Sequence, residues 1–352
     1  MWAMATGTYE AVTLEGDGRT RGRAHGEQLR ERIAAALEAL ESDIARRTGR
    51  APADHVRDFL AATAFLHAIQ ARTPDLLQEV RGIAEGANAD FALVLTHNLL
   101  DEEWWYSESV GQSCSVLAVA PENGRPALLA QNMDLPAWTD GSQVVLRCRN
   151  ERADEAVLLS MAGMIGLTGC SSRGLGLCVN ALGMLRHSGS GLPVAFAMRG
   201  ALEQSTREQA EAFLSETTHA SGQHFALADQ AGVSGLECSA GGVHSTNAGA
   251  RAWHANHPLA SGDVDPASAL PDGTADSHVR QGRLAELAPQ VATPEDCMEV
   301  LCDDEAPLCK HASASLPWLT FGSVVYELGA SPRAWFALGP PDGSPFVRYD
   351  PS

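Results

Sequence analysis

The sequence predicts an α+β protein whose antiparallel sheets are covered by helices. Three observations carry that expectation. Apolar residues recur at helical spacing through the first third of the chain, and from Cys114 onward short alternating runs are separated by turn residues. Helices then return in two further blocks, each followed by strands, whereas a doubly wound parallel sheet would alternate helix and strand regularly. At 352 residues and 45% hydrophobic content the chain is long enough to bury a sizeable core.

Taken in order, Arg19 to Arg47 carries Leu29, Ile33, Leu37, Leu40 and Ile44 close to helical spacing. Gly18, Gly22 and Gly26 stand four apart at its entrance, which lets another backbone approach closely despite the cost in helix propensity. Further helices are expected over 53–70, 74–87 and 91–103. Strands are expected over 115–120, 127–131, 144–148, 156–160 and 175–179, with turns at Glu122-Asn123-Gly124 and Ser171-Ser172-Arg173-Gly174. Helices follow over 195–202 and 207–216, the second capped by Ser205 or Thr206, then strands over 225–229, 233–239 and 252–255. The polar stretch from Pro258 to Asp276 reads as a surface loop. Helices over 276–287 and 294–301 and strands over 323–327 and 334–337 complete the chain, which shows no repeat at a fixed period.

Lys and Arg total 25 against 44 Asp and Glu, a formal net charge of -19. That excess repels phosphate backbones and anionic lipid, so neither nucleic acid nor membrane is an expected partner. Met1 to Gly7 hold neither a basic nor an apolar leader region, and no window approaches about eighteen unbroken apolar residues, so a cytoplasmic location is expected. The eight cysteines are scattered, apart from Cys297, Cys302 and Cys309 with His311 nearby. Their spacing lacks the paired C-x2-C of zinc knuckles, and no metal is expected there.

Cys114 is the most informative residue. It heads a strand-like run directly after the acidic helical segment Asp101 to Tyr106, and the next strand-like run ends in Gln131-Asn132-Met133-Asp134. A nucleophile opening one strand, with Asn-x-Asp on the next, suggests a thiol that becomes N-terminal by self-cleavage. Downstream lie His254-Ala255-Asn256-His257 and Thr320-Phe321-Gly322-Ser323-Val324-Val325-Tyr326; upstream lie Gly18 to Glu27 and Glu79 to Ala87. In order and spacing these segments resemble the isopenicillin N acyltransferase (acyl-CoA:6-aminopenicillanic acid acyltransferase) family of the N-terminal-nucleophile (Ntn) hydrolases. The resemblance spans nearly the whole chain. Ser113, Ala130 and Met133 depart from the family's usual Gly, Gly and Trp.

The resemblance implies a four-layer αββα sandwich formed by residues 1–352 as a single domain. It implies cleavage between Ser113 and Cys114, giving a helical segment 1–113 and a catalytic segment 114–352 that stay associated. Cys114 would supply both the thiol and, once freed, an α-amino base; their ordinary values, roughly 8.5 and 7.7–8.0, are already matched. Asp134 would orient or charge-balance that amine. The Asn256 side-chain amide and the Asn180 backbone N–H would donate to the oxyanion, Arg280 would stabilise the thiolate or Asp134, and Gln131 and Asn132 would support them.

Several residues have plainer readings. Asn247 imitates the local sequence of Asn256, but the Ala-Gly after it suits a turn. His254 and His257 read as structural, although a Cys-His dyad would recruit one of them. Trp104, Trp105 and Tyr106 either line a pocket for an apolar acyl group or pack a helix end.

The expected activity is cleavage or exchange of a linear amide of a small molecule or short peptide through a thioester acyl-enzyme. No cofactor is expected; a transferase using the same Cys114 would take an acyl-CoA as a substrate. The residues also admit an intact Cys-His thiol hydrolase, or an unprocessed, non-catalytic binding protein of the same fold. There is no G-x-S-x-G elbow, H-E-x-x-H helix or Walker loop.

Overall fold

The computed structural model describes residues 10–107, 113–150, 154–246, 249–266, 275–313 and 316–352; Asn247, Gly111 and Gln112 lie outside them. A short strand, β1 (Val12–Glu15), leads into α1 (Gly18–Gln28), α2 (Arg30–Thr48), α3 (Pro52–Ala62), α4 (Phe65–Arg72), α5 (Pro74–Ala87), α6 (Phe91–His97) and α7 (Leu100–Tyr106). Strands β2 (Ser113–Val119), β3 (Ala127–Pro136), β4 (Gln143–Arg149), β5 (Glu155–Met161), β6 (Thr168–Ser171) and β7 (Gly176–Ala181) come next. Helices α8 (Val194–Leu202) and α9 (Arg207–Ser215) precede β8 (Gln223–Asp229), β9 (Gly232–Ser239), β10 (Gly242–Ser245) and β11 (Arg251–His254). The chain closes with α10 (Ala275–Leu287), α11 (Pro294–Leu301), β12 (Trp318–Leu328), β13 (Arg333–Ala337) and β14 (Val347–Arg348).

Two sheets stack. The larger runs β1-β4-β5-β6-β7-β8-β9-β10 and the smaller β11-β2-β3-β12-β13-β14. Three apolar clusters separate the layers. Ile33, Phe59, Val80 and Phe196 from the helices pack on Leu146, Leu177 and Phe225 of the larger sheet. Val116, Leu129 and Tyr326 meet Val145, Val157 and Ala226 between the sheets. Leu117, Leu128 and Val325 face Leu284, Cys297 and Leu301 of α10 and α11 on the far side. The order helix, sheet, sheet, helix is the four-layer αββα sandwich.

The glycine spacing in α1 has its expected use. A methyl on Gly22 would sit 1.9 Å from the Glu79 carbonyl oxygen, and one on Gly82 of α5 would sit 2.3 Å from that of Arg19. The two helix backbones therefore touch along their length, which only a residue without Cβ permits. Buried Glu79 then pairs with Arg21 at 2.7 Å and Arg199 at 3.1 Å, tying α1, α5 and α8 together.

Three expected helices are each two. The run from Arg19 breaks at Leu29, the run over 53–70 at Thr63 and Ala64, and the run over 91–103 at Asn98 and Leu99. Leu29 and Leu99 are buried, so the apolar stripe continues across those bends and conceals them. Strands β1, β6, β10 and β14 hold four residues or fewer, too short for alternation to show.

The β2–β3 hairpin positions the site. Asn123 and Gly124 have φ of 54° and 78°, the two left-handed residues a tight primed turn requires. That turn sets the register, pairing Cys114 with Met133 and Ser113 with Asp134.

Candidate active site

Cys114 is 5% exposed, with Sγ 3.6 Å from Met133 Sδ across the hairpin. Burial, then the nearby Asp134 charge, pushes its thiol up to about 12. In the continuous chain the thiol is therefore protonated at neutral pH.

Asn256, Asn180 and Arg280 converge on the Cys114 backbone. The Cys114 N–H donates to Asn256 Oδ1 at 2.7 Å, and Arg280 Nη2 donates to the same oxygen at 2.9 Å. Two donors on one atom fix the orientation of the amide. Asn256 Nδ2 gives one hydrogen to the Ala181 carbonyl at 2.9 Å, and its second has no acceptor among the described residues. Arg280 is fully buried; Nη1 donates to the Cys114 carbonyl and to Ser115 Oγ at 3.2 Å, and Nε pairs with Asp276 at 2.8 Å.

Asn180 meets Cys114 through its side chain, where a backbone N–H was the group expected. Its side-chain Nδ2 reaches the carbonyls of Cys114 (3.3 Å), His254 (3.0 Å) and Ala255 (3.0 Å). Its backbone belongs to the ladder: Leu182 N–H donates to Gly222, so two residues earlier Asn180 faces His224 as another bonded pair. Gln131 Nε2 in turn donates to Asn180 Oδ1 at 3.1 Å and to the Val179 carbonyl. Asn132 lies on the opposite face of β3, where it donates to Leu301 and Leu308 carbonyls and accepts from Ser323. It anchors α11 and does not join the Cys114 cluster.

Asp134 is 1% exposed. Thr320 Oγ1 donates to its Oδ1 at 2.7 Å, while Oδ2 has no partner among the described residues. Burial raises its carboxyl to about 7, against the opposing pull of Lys310 and Arg280. Arg280 makes its ion pair with Asp276, and Lys310 Nζ pairs with the same Asp276 oxygen at 2.7 Å. Sequence reasoning missed Asp276 and Lys310, although Asp276 stands four residues before Arg280, the spacing of a helical ion pair.

The histidines have other partners. His254 pairs with Glu237 at 2.9 Å and stacks on His224, and Glu237 also accepts the backbone N–H groups of Leu259, Ala260 and Ser261. His257 Nδ1 bonds Ser277 Oγ at 2.7 Å, the same oxygen that accepts from the Asn256 N–H. Neither ring bonds Cys114 among the described residues.

A cavity of about 60 Å³ opens beside Cys114 and Asp134, walled largely by Trp104, Leu135, Met164, Leu167, Met198 and Trp318. Trp104, which lines this cavity, meets Trp318 edge-on at 6.2 Å. Trp105 instead stacks on His187, and Tyr106 packs against His55 and Phe59. Elsewhere, Cys309, His311 and Asp342 bring possible metal-ligand atoms within 4.8 Å of one another, with His311 Nε2 2.8 Å from Asp342. Asp342 is the member the cysteine spacing did not reveal, and none of the three lines the cavity.

Residues 119–342 match the family described as "Acyl-coenzyme A:6-aminopenicillanic acid acyl-transferase". The chain belongs to this acyltransferase family. Among curated relatives, the acyl-coenzyme A:6-aminopenicillanic-acid-acyltransferase 40 kDa form of Emericella nidulans is 26% identical over 299 residues, 84% of this chain and 81% of that protein. Solved structures that align include a conjugated bile acid hydrolase from Clostridium perfringens, at TM-score 0.42 and 12% identity over 66% of this chain and 96% of that one. A penicillin V acylase from Agrobacterium tumefaciens aligns at TM-score 0.36 and 14% identity, over 64% and 83% of the two chains. The acyltransferase family match begins at Val119. Ser113 and Cys114 precede it.

Proposed function

We propose that this chain is a self-processing N-terminal-cysteine amidohydrolase that cleaves a linear amide of a small molecule or short peptide. The observation that carries the reading is the environment of the Cys114 nitrogen. That nitrogen is held by Asn256 Oδ1, and the residue before it, Ser113, pairs in register with a buried Asp134 whose Oδ2 lacks a partner among the described residues. A peptide N–H has one hydrogen to give, and Asn256 takes it. A free α-ammonium has three, and the unpaired Asp134 oxygen suits one of the extra two.

In the precursor, Cys114 Sγ attacks the Ser113 carbonyl carbon and loses its proton. The C–N bond to Cys114 breaks, the nitrogen takes a proton, and a thioester joins Ser113 to Sγ. Water adds to that thioester and releases the Ser113 carboxylate and the thiol. The freed amine of Cys114 then serves as base for its own thiol, a contribution typically worth about 10²–10⁴-fold.

In the mature enzyme the thiol attacks a substrate amide, and the leaving amine departs with the proton. The second hydrogen of Asn256 Nδ2 is the donor for the oxyanion. Asn180 and Arg280 position the reacting residue by gripping its carbonyl, and Arg280 also offsets the developing negative charge. Water resolves the acyl-enzyme; an acyl acceptor amine would give transfer by the same intermediate, with an acyl-CoA as one donor.

Intact mass under denaturing conditions tests the reading. Wild type should give two fragments broken between Ser113 and Cys114, and Cys114→Ala a single chain. A folded but uncut wild type would overturn it. Partition between water and hydroxylamine then measures hydrolysis against transfer.

A further inference from the structure

We infer that Cys309, His311 and Asp342 form a zinc site outside the Cys114 cavity. The inference stands apart from the role of Cys114 and names a second, non-catalytic centre.

The three side chains come from two segments. Cys309 and His311 stand two apart in the connection between α11 and β12, and Lys310 between them turns the other way, its Nζ 2.7 Å from Asp276. Asp342 stands in the turn after β13, directly behind Pro340 and Pro341, where the N–H groups of Gly343 and Ser344 donate to the Pro340 carbonyl at 3.1 and 2.9 Å. Two fixed proline φ angles leave that turn little freedom to lose.

One atom from each residue, a thiol sulfur, an imidazole nitrogen and a carboxylate oxygen, lies within 4.8 Å of the other two. A tetrahedral zinc ion, with bonds of about 2.0–2.3 Å, sets such atoms roughly 3.3–3.8 Å apart. The closing movement is small, and His311 can supply it because 60% of its side chain is exposed. Cys309 is 7% exposed, so packing already fixes its sulfur.

An ion pair alone accounts for less. His311 Nε2 meets Asp342 at 2.8 Å, but exposed pairs stabilise little, and the pair gives no reason for a thiol against the same carboxylate. Among the described residues neither Lys nor Arg pairs with Asp342. Sulfur and imidazole donors select zinc or another late first-row ion over magnesium and calcium, which take oxygen ligands. Three protein ligands leave the fourth tetrahedral position, on the exposed side, to water. The thiol gives its proton to solvent as it binds the metal. Cys297 takes no part, being buried in an apolar cluster with Leu117 and Leu284. The cysteine spacing therefore misleads, because an aspartate from a distant turn completes the set.

The ion would staple the α11–β12 connection to the turn after β13. That connection carries Lys310, whose N–H donates at 2.9 Å to Thr320 Oγ1, the hydroxyl that in turn donates to Asp134. The site is thus structural, and it braces the strand behind Asp134.

Cobalt(II) titration of the untagged, full-length chain tests this, in the Cys114→Ala background so that the thiol of Cys114 cannot contribute. Sulfur ligation gives a thiolate-to-cobalt charge-transfer band, which should saturate at about one equivalent and vanish on adding zinc. His311→Ala and Asp342→Ala alter exposed side chains and leave the core intact. Each should weaken cobalt binding by at least about 10–100-fold, the loss typical of removing even an outer partner of a ligand. Cys309→Ser should abolish the band. Zinc should raise the melting temperature of Cys114→Ala and leave that of Cys114→Ala/His311→Ala unchanged. A folded, reduced protein that gives no band, or a band undiminished by both His311→Ala and Asp342→Ala, would overturn the inference.

Discussion

The side-chain oxygen of Asn256 accepts the backbone N–H of Cys114 at 2.7 Å, and the amide nitrogen of the same side chain has, among the described residues, a hydrogen to spare. In the proposed chemistry one residue thereby holds the nitrogen of Cys114 and supplies a donor for the oxyanion. Asn256→Ala should reduce kcat about 10²–10³-fold, equivalent to about 2.7–4 kcal/mol, and slow release of the 114–352 fragment. Initial rates and intact mass measure the two effects separately. An unchanged kcat in fully processed Asn256→Ala would remove it from the chemistry.

Arg280 joins Asp276, Asn256 and the Cys114 carbonyl from a fully buried position. Replacing it by Met leaves a carbonyl and part of a carboxylate unpaired in the interior. Arg280→Met should destabilise the fold by about 3–5 kcal/mol. Urea unfolding of uncleaved double variants carrying Cys114→Ala gives the comparison, and a loss below about 1 kcal/mol would show that Arg280 is dispensable for packing.

Asp134 makes stability depend on pH in the sense opposite to a salt-bridged carboxylate. Its folded value, about 7, lies above the ordinary 3.8. The native state therefore binds the extra proton, and the contribution is fully present below about 3.8 and lost as pH rises through about 7. Glu102, also raised to about 7, adds to the same trend. In the Cys114→Ala background, Asp134→Asn should flatten the fall in melting temperature between pH 4 and 7 only in part, on the order of half. An unchanged slope would mean that Asp134 is ionised throughout.

The contact of α1 with α5 predicts a structural lesion far from the cavity. Gly22→Ala places a methyl 1.9 Å from the Glu79 carbonyl oxygen. Because the obstacle is backbone, the helices must separate, at a cost of about 1–3 kcal/mol or more. Thermal unfolding measures it, and a neutral substitution would show that the helices can slide apart freely.

His257 separates the N-terminal-nucleophile chemistry from a Cys-His dyad. It bonds Ser277, and no described hydrogen bond joins it to Cys114. His257→Ala should keep processing and retain turnover within about tenfold, whereas general-base removal typically costs about 10²–10⁴-fold. A loss of the larger size in a folded, processed variant would favour the dyad.

Much of the molecule is legible in its residues. The bounds of α5 and α11 follow from a proline opening each and the apolar spacing between, and the hairpin turn from Asn123-Gly124. Cys114, Asp134, Asn256 and Arg280 are recoverable because each stands in a local pattern. Asn180 is recoverable as a residue but not as a group, since whether its backbone or its side chain is free depends on the phase of the β7–β8 ladder. Asp101 and Gln223 are invisible as a pair: 122 residues apart, they meet only once α7 is laid over the larger sheet. The breaks at Leu29 and Leu99 are hidden because a buried leucine at a bend looks like one in a helix.

The strand β1 lies before the Ser113–Cys114 bond and pairs in parallel with β4, which lies after it. Helices α1 to α6 likewise share one apolar cluster with strands from beyond that bond. A chain cut there would be two molecules that share a sheet edge and an apolar cluster across the break. Its unfolding would then become a dissociation, with a midpoint that depends on protein concentration, and its refolding a second-order encounter. The uncut chain unfolds as a single molecule, so cleavage would replace a transition independent of protein concentration by one that depends on it.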